Sequence, residues 1–304
     1  KAVGIEIVMT YLAIIGTVML LITFFTTKER VIPTVEQKSS FKEDLGDLVK
    51  NRPWIIMLLL TTLVFITLAM KGGSYVYYFE NYVDANSLAD FNGPILNGLK
   101  SIGVNFFGDN PISAGFGLFN AGGIIFMIVG ISLSKALADK YGKRDVFGSA
   151  LFVSTLFIAV FYFFPATSVE LMFLSQILHG FFYGITIPLL WAMIADVADY
   201  SEWKNNRRAT AIIFSAMMIG LKLGLTIGSS LVTWILGLYN YIPKKFAATE
   251  TVVQPDSAIE GTKMLVSIYP AISFFIAIAL LFLYEINKKM ENQIEQDLIT
   301  RRKA

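Results

Sequence analysis

Apolar residues fall into seven long runs, at about 3–26, 54–79, 112–136, 146–164, 169–195, 209–238 and 264–285. About twenty apolar helical residues cross a hydrocarbon layer of roughly 30 Å, so each run is predicted to be a transmembrane helix. The fold class this predicts is an all-α polytopic membrane protein. Between the runs lie a charged loop at 27–53, a Gly/Asn/Asp-rich loop at 80–111 and a motif-bearing loop at 137–145. A tight turn at Pro165, a polar loop at 196–208, a loop at 239–263 and a charged tail from Asn287 complete the pattern.

Two polar stretches keep a helical period. Phe41, Leu45, Leu48 and Val49 predict an amphipathic helix lying on the membrane surface within the longest loop. Ile286, Met290, Ile294 and Leu298 recur every fourth residue and predict a second interfacial helix, one that carries no chemistry. Composition supports the membrane reading: 55% of residues are hydrophobic and 16% charged, against about a quarter charged in soluble domains. The 25 Phe and 13 Tyr suit a lipid-facing protein with interfacial anchors. A net charge of +2 gives no reason to expect a nucleic-acid partner, and zero Cys with one His exclude disulfides and cysteine chemistry and argue against a zinc cluster. Neither H-E-x-x-H nor G-x-S-x-G occurs, so no enzyme activity is expected and no cofactor is implied.

Positive charge is unevenly placed. The loops at 27–53, 137–145 and 196–208 and the tail carry most of the Lys and Arg, leaving Lys1, Lys100, Lys244, Lys245 and Lys263 for the other side. The richer side is expected to be cytoplasmic, which puts the C-terminus inside and the N-terminus outside. An outside start, with Lys1 running straight into an apolar span, leads to the expectation that the chain is a segment of a longer protein.

Inside the spans, charge is costly: about 2.5–3.5 kcal/mol at the bilayer centre on insertion scales. Lys222 lies mid-span on a face with Ser215, Met218, Thr226, Ser229 and Thr233, while Gly220, Gly224 and Gly228 line the opposite face. Small residues admit a close neighbouring helix, so the polar face is predicted to look into a wet cavity. Lys222 is then a ligand or coupling residue, or alternatively a lysine neutralised by a buried acid. Lys71 has Thr67 before it and Tyr75 and Tyr78 after it on its own face; these suit sugar hydroxyls and rings, or an ordinary aromatic belt. Gln176, His179, Tyr183, Ile187 and Trp191 form one stripe, a candidate hydrogen-bonding and stacking wall, although a lone His in a helix is more often a packing residue. Asp196, Asp199 and Glu202 recur every third residue at a helix end, within reach of Arg207, Arg208 and the basic 137–145 loop. They form a conformational gate or simple solvated ends, since single exposed pairs contribute little.

Two motifs carry a family resemblance. Asp139-Lys140-Tyr141-Gly142-Lys143-Arg144 resembles the D-x-x-G-[RK]-[RK] signature of major facilitator loops. Ala195-Asp196-Val197-Ala198-Asp199-Tyr200-Ser201-Glu202-Trp203-Lys204, with Arg208 and then Lys222, resembles helices ten to eleven of the glycoside–pentoside–hexuronide:cation symporters. Lys71-Gly72 and Tyr77-Tyr78-Phe79 are similar to that family's helix-seven ending. The resemblance implies a major facilitator fold here divided into 1–26 as the last helix of the N-terminal bundle and 27–53 as the inter-bundle loop. It further implies 54–286 as the C-terminal six-helix bundle and 287–304 as a cytoplasmic tail.

By resemblance, the function is Na⁺- or H⁺-coupled symport of a sugar or glycoside in a bacterial inner membrane, by a monomer among membrane lipid. Lys222 lies near the sugar and cation sites in that picture, with the principal acidic ligands for the cation on helices upstream of Lys1. Asp139, Lys140, Lys143, Arg144, Asp196, Asp199, Glu202 and Arg208 form the cytoplasmic gate. The family's pocket Trp of helix ten falls at Ile187, one turn before Trp191, and the 80–111 loop is longer than the family leads one to expect. A major facilitator carrier of a lysolipid or peptide is the nearest rival, and a seven-helix receptor or retinal protein a remote one.

Overall fold

A computed structural model describes residues 2–27, 46, 48–103, 110–205, 210–243 and 252–303. Among these residues there is no strand, and seven helical stretches are long and apolar enough to cross a membrane. The chain divides into two units, Lys1–Ser39 and Ser40–Ala304.

The first unit contains α1 (Ala2–Thr26), apolar on every side. Its hydroxyls do not need a neighbouring helix. Thr10, Thr17, Thr23 and Thr26 each donate to the carbonyl four residues back, at 2.7–2.9 Å. This is the usual way a threonine is satisfied where no water is present.

The second unit begins where Asn51 caps α2 (Arg52–Asn81): its side chain accepts from Trp54 N at 3.2 Å, and Pro53 occupies the first turn, where a missing N–H costs nothing. Asp84 caps α3 (Ala85–Ser101) through the Ser87 amide at 2.8 Å. The expected 80–111 loop is therefore largely a helix. Its apolar positions are too few to signal a span, but Leu88 is buried and Phe91 meets Phe173 at 4.9 Å. Asn110 caps α4 (Pro111–Tyr141), and the chain turns at Gly142 directly into α5 (Lys143–Ala159), which ends in a 3-10 turn at Val160–Phe163. Gly142 has φ 93°, a region that favours glycine, and a Cβ there would lie 2.9 Å from Lys288 Cβ. The motif "loop" is thus a one-residue joint.

α6 (Val169–Asn205) runs 37 residues, so the acidic stretch expected in a polar loop is helical to Asn205. α7 (Thr210–Leu238) packs its glycine face on α2: a Cβ on Gly224 would lie 2.6 Å from Thr62 O and one on Gly228 2.5 Å from Ile66 O. The last span is α8 (Asp256–Val266) and α9 (Ile268–Leu281), broken at Ser267. Pro270 accounts for the break, because its ring cannot sit against the carbonyl of Val266 in a continuous helix.

The tail forms α10 (Lys288–Lys303), and here the sequence reading needs correcting. Ile286, Ile294 and Leu298 are buried in the main apolar cluster with Met290 packed against it, so the stripe faces the bundle rather than the lipid surface. Of the stripe in the longest loop, Phe41 and Leu45 lie outside the described residues, Leu48 is buried in the same cluster and Val49 is exposed.

Candidate functional site

The residues singled out by sequence separate into three places. Lys71, Tyr75, Gln176, His179 and Tyr183 lie inside the second unit, each 8% exposed or less. Lys71 Nζ donates to Gln176 Oε1 at 3.1 Å, and Tyr75 Oη donates to the same oxygen at 3.1 Å. The ammonium also lies 5.3 Å from the Tyr75 ring centre, a cation–π distance. His179 Nδ1 shares a 2.7 Å hydrogen bond with Ser154 Oγ and stacks on Tyr183, which stacks on Phe274. With Phe119 of α4 edge-on to Tyr75 at 4.9 Å, residues of α2, α4, α5, α6 and α9 surround the group, and no carboxylate pairs with Lys71 among the described residues. Tyr78 is fully buried in an aromatic cluster with Phe79, Tyr82 and Phe161, and its hydroxyl lies 3.8 Å from Met172 Sδ.

The second place is the outer face of α7. Ser215, Met218, Lys222, Thr226, Ser229 and Thr233 are all exposed in this unit. Thr226 Oγ1 donates to Lys222 O at 2.9 Å, and the Lys222 ammonium has no partner among the described residues. Lys71 and Lys222 are therefore not brought together: one is enclosed by the bundle, the other stands on its open side. Trp191 is half-buried against the apolar cluster and joins neither group.

The third place is the end of the bundle that carries α10. Lys143 Nζ bridges Asp196 Oδ1 at 2.6 Å and Glu291 Oε1 at 2.8 Å, all three partly buried. Lys288 Nζ donates to the carbonyls of Asp139 at 2.6 Å and Lys140 at 3.0 Å, satisfying acceptors that the end of α4 leaves open. Trp203 Nε1 donates to Asp297 Oδ2 at 2.8 Å, and Arg301 donates to Trp203 O at 2.9 Å. Asp196 and Asp199 line a cavity of about 380 Å³ with Lys143, Glu291 and Glu295. Glu202 is half-buried, and Lys140 lies over its neighbour Tyr141 at 5.0 Å. Arg144 turns away from this cluster, to Asp145 and the Tyr284 carbonyl, while Arg208 lies outside the described residues.

Sequence reasoning missed Glu291, Lys288, Asp297 and Ser154. The three tail residues lie among many charges, and only the inward-facing apolar stripe beside them could have hinted at partners. Ser154, fully buried in an apolar span, carried no signal.

Residues 1–109 and 98–288 match the family model described as MFS/sugar transport protein. The chain belongs to that family. It is an integral membrane protein with the all-α major facilitator architecture. Among curated proteins it is similar to the putative glycoside/cation symporter YagG of Escherichia coli, 28% identical over 296 residues, covering 97% of this chain and 57% of that one. The inner membrane symporter YicJ of Escherichia coli is 27% identical over 279 residues, covering 91% and 53%. The isoprimeverose transporter of Lactiplantibacillus pentosus is 26% identical over 292 residues, covering 94% and 53%. The chain spans about half the length of the curated relatives it matches.

Proposed function

We propose that this family member works in cation-coupled symport of a sugar or glycoside across a bacterial inner membrane, with Lys222 at the coupling face. The observation that carries the reading is the two-sidedness of α7. Its glycines sit against α2 while Lys222, Thr226, Ser229 and Thr233 face outward, so the polar face is free to line a solute path. Relatives named as a glycoside/cation symporter and an isoprimeverose transporter support the solute class. In this proposal 54–286 is the C-terminal bundle, 1–26 the last helix of the N-terminal bundle, 27–53 the connection and 287–304 a cytoplasmic tail.

The Lys143–Asp196–Glu291 bridge then acts as part of a cytoplasmic gate. Single partly exposed pairs contribute little, but a set spanning α5, α6 and α10 biases a two-state equilibrium if it breaks when the helices part. The enclosed Lys71–Gln176–Tyr75 and His179–Ser154 pairs hold the helices of the bundle in register, and any effect of theirs on the solute passes through that packing. Uptake of labelled glycosides by cells expressing the protein, with and without Na⁺ and at varied pH, tests the reading. Ion-dependent accumulation lost in Lys222→Ala, at equal protein in the membrane, is the expected result. Absence of any sugar accumulation would redirect the search to lipids or peptides.

A further inference from the structure

A groove of about 560 Å³ runs between α5 and the end of α9; it shares no lining residue with the cavity beside the acidic cluster, and Lys222 lines neither. Phe152 and Val153 form one wall and Ile278, Leu281 and Phe282 the other. Gly148 lets the helices close at its floor, since a Cβ there would lie 2.8 Å from Leu281 Cδ2. Phe152 and Phe282 are 45% and 84% exposed, so the groove opens sideways, toward the hydrocarbon around a membrane-spanning bundle.

The apolar channel ends in two opposite charges. Arg144 and Asp145 stand in the first turn of α5, where a membrane span begins and lipid headgroups lie. Arg144 donates from Nε to Asp145 Oδ1 at 2.9 Å and from Nη1 to the Tyr284 carbonyl at 3.2 Å. A guanidinium has five N–H donors, so much of the fork has no partner among the described residues. Asp145 is similarly half-used: Oδ1 is taken and Oδ2 has no partner among them. A cationic fork and a carboxylate oxygen thus stand side by side, both unfilled, at the polar end of a greasy groove.

We infer that this groove is a site for a phospholipid whose headgroup carries both a phosphate and a primary ammonium. An acyl chain lies along Phe152 and Ile278. Phosphate oxygens accept from the free N–H groups of Arg144, and the ammonium donates to Asp145. A purely anionic headgroup would satisfy Arg144 but face the Asp145 carboxylate with nothing to offer it. A quaternary ammonium has no N–H to donate. The inference is independent of which solute the protein carries.

The test is native mass spectrometry of the full chain taken from nanodiscs of equal phosphatidylethanolamine, phosphatidylcholine and phosphatidylglycerol. Retention of one phosphatidylethanolamine, roughly tenfold above the other two, is expected, the factor that one charge-assisted hydrogen bond supplies. Asp145→Asn, at a largely exposed side chain, should erase the preference over phosphatidylcholine while keeping lipid bound. Gly148→Leu should lower retention of all three; its melting temperature serves as the folding control. Equal retention of the three lipids by the unaltered chain, or an undiminished preference in Asp145→Asn, would overturn the proposal.

Discussion

Two lysines lie within apolar spans of this chain, and their surroundings differ at every point. Lys71 is 6% exposed, shares one amide oxygen with a tyrosine and is walled in by helices. Lys222 is exposed, stands in a row of hydroxyls and has no partner among the described residues. Burying a lysine costs several kcal/mol unless its donors are met, so a protein keeps one inside only with partners built around it. Lys71 has such partners and reads as part of the bundle's frame. Lys222 has none within its own unit, the arrangement expected of a side chain whose partner is a solute, an ion or another bundle.

That contrast can be broken experimentally. Lys222→Ala should cut ion-dependent accumulation by about 5- to 150-fold, the span of ordinary coupling energies, with the melting temperature unchanged. A large drop in melting temperature would make Lys222 a structural residue like Lys71. Gly224→Leu attacks the other face of α7; wedging a side chain toward Thr62 should cost about 1–3 kcal/mol or more in unfolding free energy, read by thermal melts in detergent. Gln176→Leu strips the shared acceptor from Lys71 and Tyr75 and should cost about 1–3 kcal/mol. Combining it with Lys71→Met and Tyr75→Phe should return much of that loss, because replacing all the polar partners is cheaper than orphaning two donors. A triple variant no more stable than Gln176→Leu would deny the network its framing role.

The smallest effect on stability belongs to Asp196→Asn, at about 0–1 kcal/mol for a partly exposed pair. Its value lies elsewhere. The chain has no cysteine, so a single cysteine introduced at Ser201 is a clean reporter of opening at the α10 end. Faster labelling of that cysteine in the Asp196→Asn background is expected if the bridge biases the gate, and unchanged labelling would reduce it to a surface ion pair.

Much of the architecture was legible in the order of residues, and the misses share one cause. The apolar runs place the spans, and the D-x-x-G-K-R pattern marks a joint that Gly142 makes with a positive φ. The α10 stripe shows how far this goes: a period of four identifies the apolar face, yet lipid and protein are equally apolar partners, and only packing chose the bundle. The 80–111 segment was read from its Gly, Asn and Asp, while Asp84 spends its carboxylate on capping a helix there. In the same way Lys71 and Lys222 look alike along the chain, since both are single charges in an apolar run with a hydroxyl-bearing residue four positions on, Tyr75 and Thr226.

By itself, then, the sequence determined what local chemistry determines: helix length from runs matched to bilayer thickness, and close helix approach from the α7 glycines. It determined the family too, because the motif around Asp196 and the joint at Gly142 are contiguous. Only the tertiary structure decided which lysine is enclosed, that Glu291 completes the bridge begun by Lys143 and Asp196, and that Arg144 turns away from it. Those outcomes depend on which side chains of distant helices meet across a packed interior, and a periodicity can name a face without naming what the face will touch.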